Sequence, residues 1–219
     1  MQSSNINTGF FLTIEGADGA GKTTHCSLLS EALNEIGLEV VSVREPGGTI
    51  VGEKIRKIVK GSEKISPLTE LLLFQAARSE LVEKVISPAI KNNKVVIADR
   101  FIDSTLAYQG FGRGINLKDI DAINEISTKK TTPNLSILLD LPTKISIGRS
   151  RTRDSLYKNN ERRFENEPDD FHEKVIKGFK YLANKNSERW ETINSNRDIK
   201  IVAKEIYDLV IKKINSNNI

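Results

Sequence analysis

Eight consecutive residues carry the strongest chemical signal: Gly16-Ala17-Asp18-Gly19-Ala20-Gly21-Lys22-Thr23. Their spacing is G-x-x-x-x-G-K-[ST], in which glycines let the backbone wrap closely and aim its N–H groups at a polyphosphate. The helix N-terminus that follows adds partial positive charge. Lys22 is placed to reach β- and γ-phosphates, and the Thr23 hydroxyl to ligate Mg²⁺. The nucleotide-binding set therefore runs from Gly16 through Thr23 and on to Thr24. A random chain of this size would match the pattern on the order of once in a hundred at average glycine usage. A second residue, Asp99, follows directly on an apolar run, where a phosphate-binding enzyme of this kind needs a carboxylate facing the metal.

The elements that must position these groups alternate between apolar runs and helix-period stretches, the pattern of βαβ units around a parallel sheet. Phe10–Glu15 reads as a strand, followed by the glycine-rich turn and a helix from about Gly21 to Ile36, stopped by Gly37. Leu38–Val43 is a second strand, and Glu45-Pro46-Gly47-Gly48 is turn chemistry. Ser66-Pro67 is an N-cap with proline at the first helical position, opening a long helix to about Lys91 with a kink expected at Pro88. Lys94–Ala98 is a third strand, apolar on both faces and therefore central. Leu135–Leu139 and Arg189–Ile193 supply the fourth and fifth, and Ile199–Ile214 the last helix. Arg153–Asn166 reads as a long polar loop, and such loops are often lids. The fold expected is α/β of the P-loop type: a five-stranded parallel sheet flanked by helices, one domain over 1–219 with a lid at about 149–166.

Composition narrows the context. A net charge of +4 fits a small anionic substrate as well as nucleic acid. No apolar run approaches the roughly 18 residues of a membrane span, and the polar start lacks a signal peptide's basic and apolar regions. The single cysteine, Cys26, permits no internal disulfide and fits a reducing compartment. The expectation is a cytoplasmic protein without nucleic-acid or membrane partners. A P-loop alone leaves ATPases, GTPases, motors and small-molecule kinases open. The guanine-reading Asn-Lys-x-Asp of GTPases is missing where it should follow the fourth strand, which continues as Asp140-Leu141-Pro142-Thr143.

Five separated motifs are more specific: Ile14-Glu15-Gly16 running into the P-loop, Arg44-Glu45-Pro46-Gly47-Gly48-Thr49, Phe74-Gln75-Ala76-Ala77-Arg78, Asp99-Arg100, and Ser104-Thr105-Leu106-Ala107-Tyr108-Gln109-Gly110. In order and spacing they resemble the bacterial thymidylate kinase family along essentially the whole chain. That resemblance implies ATP with Mg²⁺ as phosphoryl donor, dTMP as acceptor, and a homodimer. It assigns Arg100 to the acceptor phosphate with Arg56 as a second contact, and Thr105, Tyr108 and Gln109 to the thymine and deoxyribose. Ser104 joins them, with helix capping as the competing role. Asp18 approaches the acceptor's sugar hydroxyl and 5′-phosphate.

Phe74 and Arg78 lie four residues apart on the long helix and so share a stripe. An aromatic ring can stack on a pyrimidine while a guanidinium beside it donates to a base carbonyl. An arginine amid Leu71, Leu72, Leu81 and Val82 needs a partner if it is buried with them. Some family members carry an arginine within the P-loop; here that stretch is Asp18-Gly19-Ala20. Charge over the transferring phosphoryl group must then come from elsewhere; Arg149, Arg151, Arg153, Arg162 and Arg163 cluster around the lid and resemble the bacterial arrangement, with a solvated basic loop as the competing reading. Arg153 is the choice for that role, with Arg149 stacking on adenine as in relatives. Phe164-Glu165 resembles a family motif of unassigned role. The competing readings are a kinase for another nucleoside monophosphate or deoxynucleoside, and a switch or nucleic-acid-binding module that only binds ATP.

Overall fold

The computed structural model describes residues 8–61, 63–156 and 163–217, excluding the side chains of residues 151, 153–156 and 217. Five strands form one parallel sheet: β1 Phe10–Glu15, β2 Val40–Arg44, β3 Val95–Asp99, β4 Leu135–Asp140 and β5 Trp190–Asn194. Their spatial order is β2-β3-β1-β4-β5, so β1 is central. β1 and β3 are buried along their whole length, as runs apolar on both faces require. Register places Ile14 opposite Asp99 and Glu15 opposite Leu138, which brings the carboxyl ends of β1, β3 and β4 level. Ligand crevices in such sheets open at those ends.

Alternation along β1 divides the core. Phe10, Leu12 and Ile14 face helices α1 (Lys22–Glu35) and α9 (Ile199–Asn217), packing with Leu29, Leu33, Val202, Ile206 and Val210. Phe11 faces the other side, with Leu81, Ile86, Val96 and Phe101. Each such fully buried aliphatic or aromatic side chain contributes about 1.5–3 kcal/mol, which offsets the backbone ordering of these short strands.

The helix opened by Ser66 is capped by its hydroxyl, which accepts from the Thr69 N–H at 3.2 Å. It runs as α3 (Pro67–Leu81), a π-helical turn at Val82–Ile86, and α4 (Ser87–Lys91). The wide turn stands where a kink was expected: it absorbs the ring and missing N–H of Pro88 without ending the helix. α2 (Ile50–Lys60) is an element the sequence reading does not assign; the Thr49 hydroxyl caps it by accepting from Gly52 N–H at 2.9 Å. After β3 come the short α5 (Ile102–Thr105), a π-helical turn at Leu106–Gly112, and α6 (Leu117–Thr128). α7 (Thr143–Leu156) and α8 (Asp169–Lys185) flank the expected lid. The loop expected over Arg153–Asn166 begins later: residues 153–156 continue α7, because no glycine or proline stands there to stop it.

Candidate active site

β1 delivers the chain into the glycine-rich loop, and α1 begins at Lys22 with Gly21 as a left-handed N-cap. Gly19 has φ +81°, and a Cβ there would lie 2.5 Å from the Ser146 carbonyl and 3.1 Å from Arg149 Cβ. The loop therefore packs against α7 only because this residue has no side chain. Lys22 Nζ donates to the Ala17 carbonyl at 2.8 Å, curling over the loop. Burial, and secondarily the neighbouring Arg100, push its pKa down to about 8.

The Thr23 hydroxyl donates to Asp99 Oδ2 at 2.5 Å. A hydroxyl and a carboxylate side by side are hard oxygen ligands suited to Mg²⁺. Among the described residues there is no cluster of three or more His, Cys, Asp or Glu that could hold a metal ion. The donor set thus fits a cation shared with nucleotide phosphates and water, not one caged by protein.

Arg100 stands at the junction of β3 and α5 with φ +74°, a left-handed conformation that strains a non-glycine residue. Its guanidinium donates to the Gly16 carbonyl at 3.0 Å, the Ser104 hydroxyl at 3.1 Å, Asp18 Oδ1 at 2.7 Å and the Tyr108 hydroxyl at 3.0 Å. The Tyr108 hydroxyl in turn donates to Asp18 Oδ2 at 2.7 Å. Burial works to raise the Asp18 pKa, but Arg100, Lys22 and the Tyr108 hydroxyl outweigh it and hold the carboxyl well below its usual range. The Tyr108 ring packs edge-on against Phe164, Phe171 and Phe179, so it is both a core residue and a member of this polar cluster. Ser104 lies inside α5 and caps nothing; its hydroxyl links Arg100 to Glu15.

Phe74 is half-buried on α3 and meets Phe164 edge-on, 6.0 Å between centroids. Phe164 therefore bridges Phe74 and Tyr108, two residues expected on the acceptor. Arg78 is 1% exposed and every N–H has an acceptor. Its Nε and NH2 clasp Glu45 at 2.5–3.1 Å, NH2 also donates to the Phe101 carbonyl, and NH1 to Asn124 at 2.9 Å and Gln75 at 3.4 Å. Burial pushes the Glu45 pKa up, against the pull of Arg78. Arg56 is half-buried and donates to the Pro46 carbonyl at 3.0 Å. Thr105 is buried. Gln109 Nε2 donates to Glu70 at 2.8 Å.

Glu70 is fully buried and also accepts from Arg113 at 3.0–3.1 Å and Arg163 at 2.6 Å. Arg163 further donates to the Val59 and Ile65 carbonyls. It is thus built into the wall beneath the acceptor residues and is not one of the lid charges. On α7, the Ser146 hydroxyl donates to the Asp18 carbonyl at 2.5 Å, tying this helix to the P-loop. Arg149 is exposed one turn further on. The side chains of Arg151 and Arg153, and the whole of Arg162, lie outside the described residues. Glu70, Arg113 and Ser146 are site-building residues that the sequence reading does not name, and Glu15 and Glu45 stand there only inside motifs, without a role. The signal for three of them is a carboxylate embedded in an apolar run or beside a proline.

A family model described as Thymidylate kinase matches residues 14–206. Thymidylate kinase of Synechococcus sp. (strain JA-3-3Ab) is 44% identical over 91% of this chain and 94% of its own length. That of Geobacter sulfurreducens is 40% identical over 94% of this chain and 98% of its own. The crystal structure of thymidylate kinase from Ehrlichia chaffeensis superposes with a TM-score of 0.75 at 35% identity, covering 93% of this chain and 99% of that one. With the family match spanning the P-loop, the Arg100 cluster and both lid flanks, the chain belongs to the thymidylate kinase family.

Proposed function

We propose that the protein transfers the γ-phosphoryl group of ATP to the 5′-phosphate of dTMP, giving ADP and dTDP. The observation that carries this reading is the Asp18–Arg100–Tyr108 cluster. An arginine suited to bidentate phosphate binding is bonded directly to the backbone of the phosphate cradle, so a second phosphate held there abuts the first. A nucleotide-binding switch has no use for a second pocket of that kind.

The residues act by position and charge. Lys22 moves from the Ala17 carbonyl to the β- and γ-phosphates, and Arg100 exchanges part of its contact with Asp18 for the acceptor phosphate. The acceptor is already an anion at neutral pH, so no strong general base is needed. Thr23 and Asp99 would hold Mg²⁺, which would supply charge neutralisation on the triphosphate. Phe74 offers its ring to the thymine face, with Thr105, Gln109 and Arg78 around the base and Arg56 near the phosphate. Arg153 on the lid helix supplies the charge that the P-loop lacks, and Arg149 stacks on adenine. The chain acts as one cytoplasmic kinase domain; among the described residues, no helix is long and apolar enough to cross a membrane. A homodimer is supported by exposed Leu68 and Leu72 on α3 and Ile126 on the adjoining α6.

The test is ADP formation from ATP with dTMP, dUMP, dCMP and AMP in turn. The highest kcat/KM is expected for dTMP. A higher value for another monophosphate would reassign the acceptor, and no ADP with any of them would sink the kinase reading.

A further inference from the structure

Glu15 is the last residue of β1, fully buried, and the phosphate-transfer scheme above leaves it without a role. Its Oε1 accepts from the Phe101 N–H at 2.8 Å, and its Oε2 accepts from the Ser104 hydroxyl at 2.6 Å. That hydroxyl accepts from Arg100 NH1. The neighbours of Glu15 hold the same arginine: the Ile14 carbonyl accepts the Arg100 N–H at 3.2 Å and the Gly16 carbonyl accepts its NH1 at 3.0 Å. Three consecutive residues thus grip the amide of Arg100, the amide that follows it, and its guanidinium.

This arrangement matters because Arg100 is strained. A left-handed φ at a non-glycine residue is strained and persists only where the surroundings over-determine it. The next residue, Phe101, has an unusual backbone at φ −155° and ψ −144°, and precedes a helix of four residues. Its buried N–H would otherwise lack an acceptor at the start of that helix. We propose that Glu15 is a positioning residue for Arg100, fixing the β3–α5 turn through the Phe101 amide and the guanidinium through the Ser104 hydroxyl. The inference rests on the reading of Arg100 as the acceptor-phosphate ligand. Burial, reinforced by the nearby Asp103 carboxylate, pushes the Glu15 pKa up to about 8. Glutamine keeps an oxygen for the Phe101 N–H, and its N–H can pair with the Ser104 oxygen once that hydroxyl turns.

The experiment measures dTMP binding by calorimetry in the full chain. Glu15→Ala is expected to raise the dTMP dissociation constant about five- to tenfold, the effect of one or two net hydrogen bonds. Glu15→Gln should stay within about twofold of wild type. In an Arg100→Ala background, Glu15→Ala should add less than about twofold, because a residue acting through Arg100 has nothing left to position. A residue that merely supports the fold would cost the same factor in both backgrounds. Equal costs, or an unchanged constant in Glu15→Ala, would overturn the inference while leaving dTMP turnover and the kinase reading intact. If Glu15→Ala does not fold, Ser104→Ala cuts the same link and carries the same two expectations. Failure of the wild type to bind dTMP would overturn both readings.

Discussion

Replacing Tyr108 by phenylalanine separates two functions that the structure joins in one side chain. The hydroxyl donates to Asp18 and accepts from Arg100, while the ring makes edge-on contacts with three phenylalanines. A hydrogen bond to a charged group contributes about 1.5–3 kcal/mol. Removing the hydroxyl leaves neither partner alone, since Asp18 and Arg100 still bond to each other at 2.7 Å and Arg100 keeps Gly16 and Ser104. The loss should therefore sit at the lower end, about 1.5 kcal/mol, or roughly tenfold in kcat/KM for dTMP. The ring stays in place, so the preference for dTMP over its 2′-hydroxylated analogue should be unchanged. Tyr108→Ala removes the ring as well. Truncating a buried aromatic costs about 3–5 kcal/mol, so its urea midpoint should fall well below that of Tyr108→Phe. If the ring is the wall against C2′, the deoxy-to-ribo preference, of order 10² for an apolar pocket, should shrink only in Tyr108→Ala. The assay is kcat/KM for both acceptors in the three proteins, alongside urea unfolding. A preference lost in Tyr108→Phe, or kept in Tyr108→Ala, would refute the division of labour.

Four further outcomes are expected. Lys22→Ala should fold normally yet lose about 10²–10³ in kcat, checked by coupled ADP assay and circular dichroism. Lys22 should also show in the pH profile: with its folded pKa lowered to about 8 from an ordinary 10.5, the unfolded chain binds more protons between those values. Stability should therefore rise over that window, and kcat/KM for ATP should fall above about pH 8 as the free enzyme's lysine deprotonates; Lys22→Met should remove the stability rise, measured by urea unfolding at each pH. Gly19→Ala should weaken ATP binding and destabilise the fold by at least about 1 kcal/mol, since the left-handed φ and the Ser146 carbonyl both oppose a Cβ; calorimetry and thermal melting report the two effects. Arg153→Ala should lower kcat more than it raises either KM, and full kcat in alanine variants of Arg149, Arg151 and Arg153 alike would mean that the missing charge is not on this helix.

The sheet and the cradle are legible in the sequence because each is written in consecutive residues. A run such as Phe10–Glu15 reports its own burial, and the glycine spacing from Gly16 to Gly21 reports its own turn. α2 and α6, which the sequence reading does not assign, do carry local signals, a strongly amphipathic period in α2 and side-chain caps at Thr49 and Asn116. Arginines pose a different problem. Arg78, Arg113 and Arg163 carry the same chemistry as Arg100, yet two buried carboxylates engage all three, Glu45 with Arg78 and Glu70 with Arg113 and Arg163. The pairs are separated by 33, 43 and 93 positions, distances over which residue type carries no information on partner. Removing either carboxylate would leave buried guanidinium charge uncompensated, a loss of about 3–5 kcal/mol.

Asp99 and Arg100 show why even adjacent site residues can defeat strand logic. Successive side chains of an extended strand point to opposite faces, so neighbours should not serve one loop. Here Asp99 reaches Thr23 at the start of α1, while Arg100 reaches Gly16 and Asp18 within the loop before it. Both can do so only if the chain leaves extended geometry between them, and the φ of +74° at Arg100 is that departure. The strain is thus a geometric requirement for placing a metal-facing carboxylate and a phosphate-facing guanidinium on consecutive residues. Glycine would adopt the conformation freely, but it would supply no charge. An arginine in that conformation needs outside restraint, and the bonds from Ile14, Glu15 and Gly16 provide it from the strand that carries the cradle itself. One short stretch of β1 therefore sets both the donor loop and the aim of the acceptor arginine.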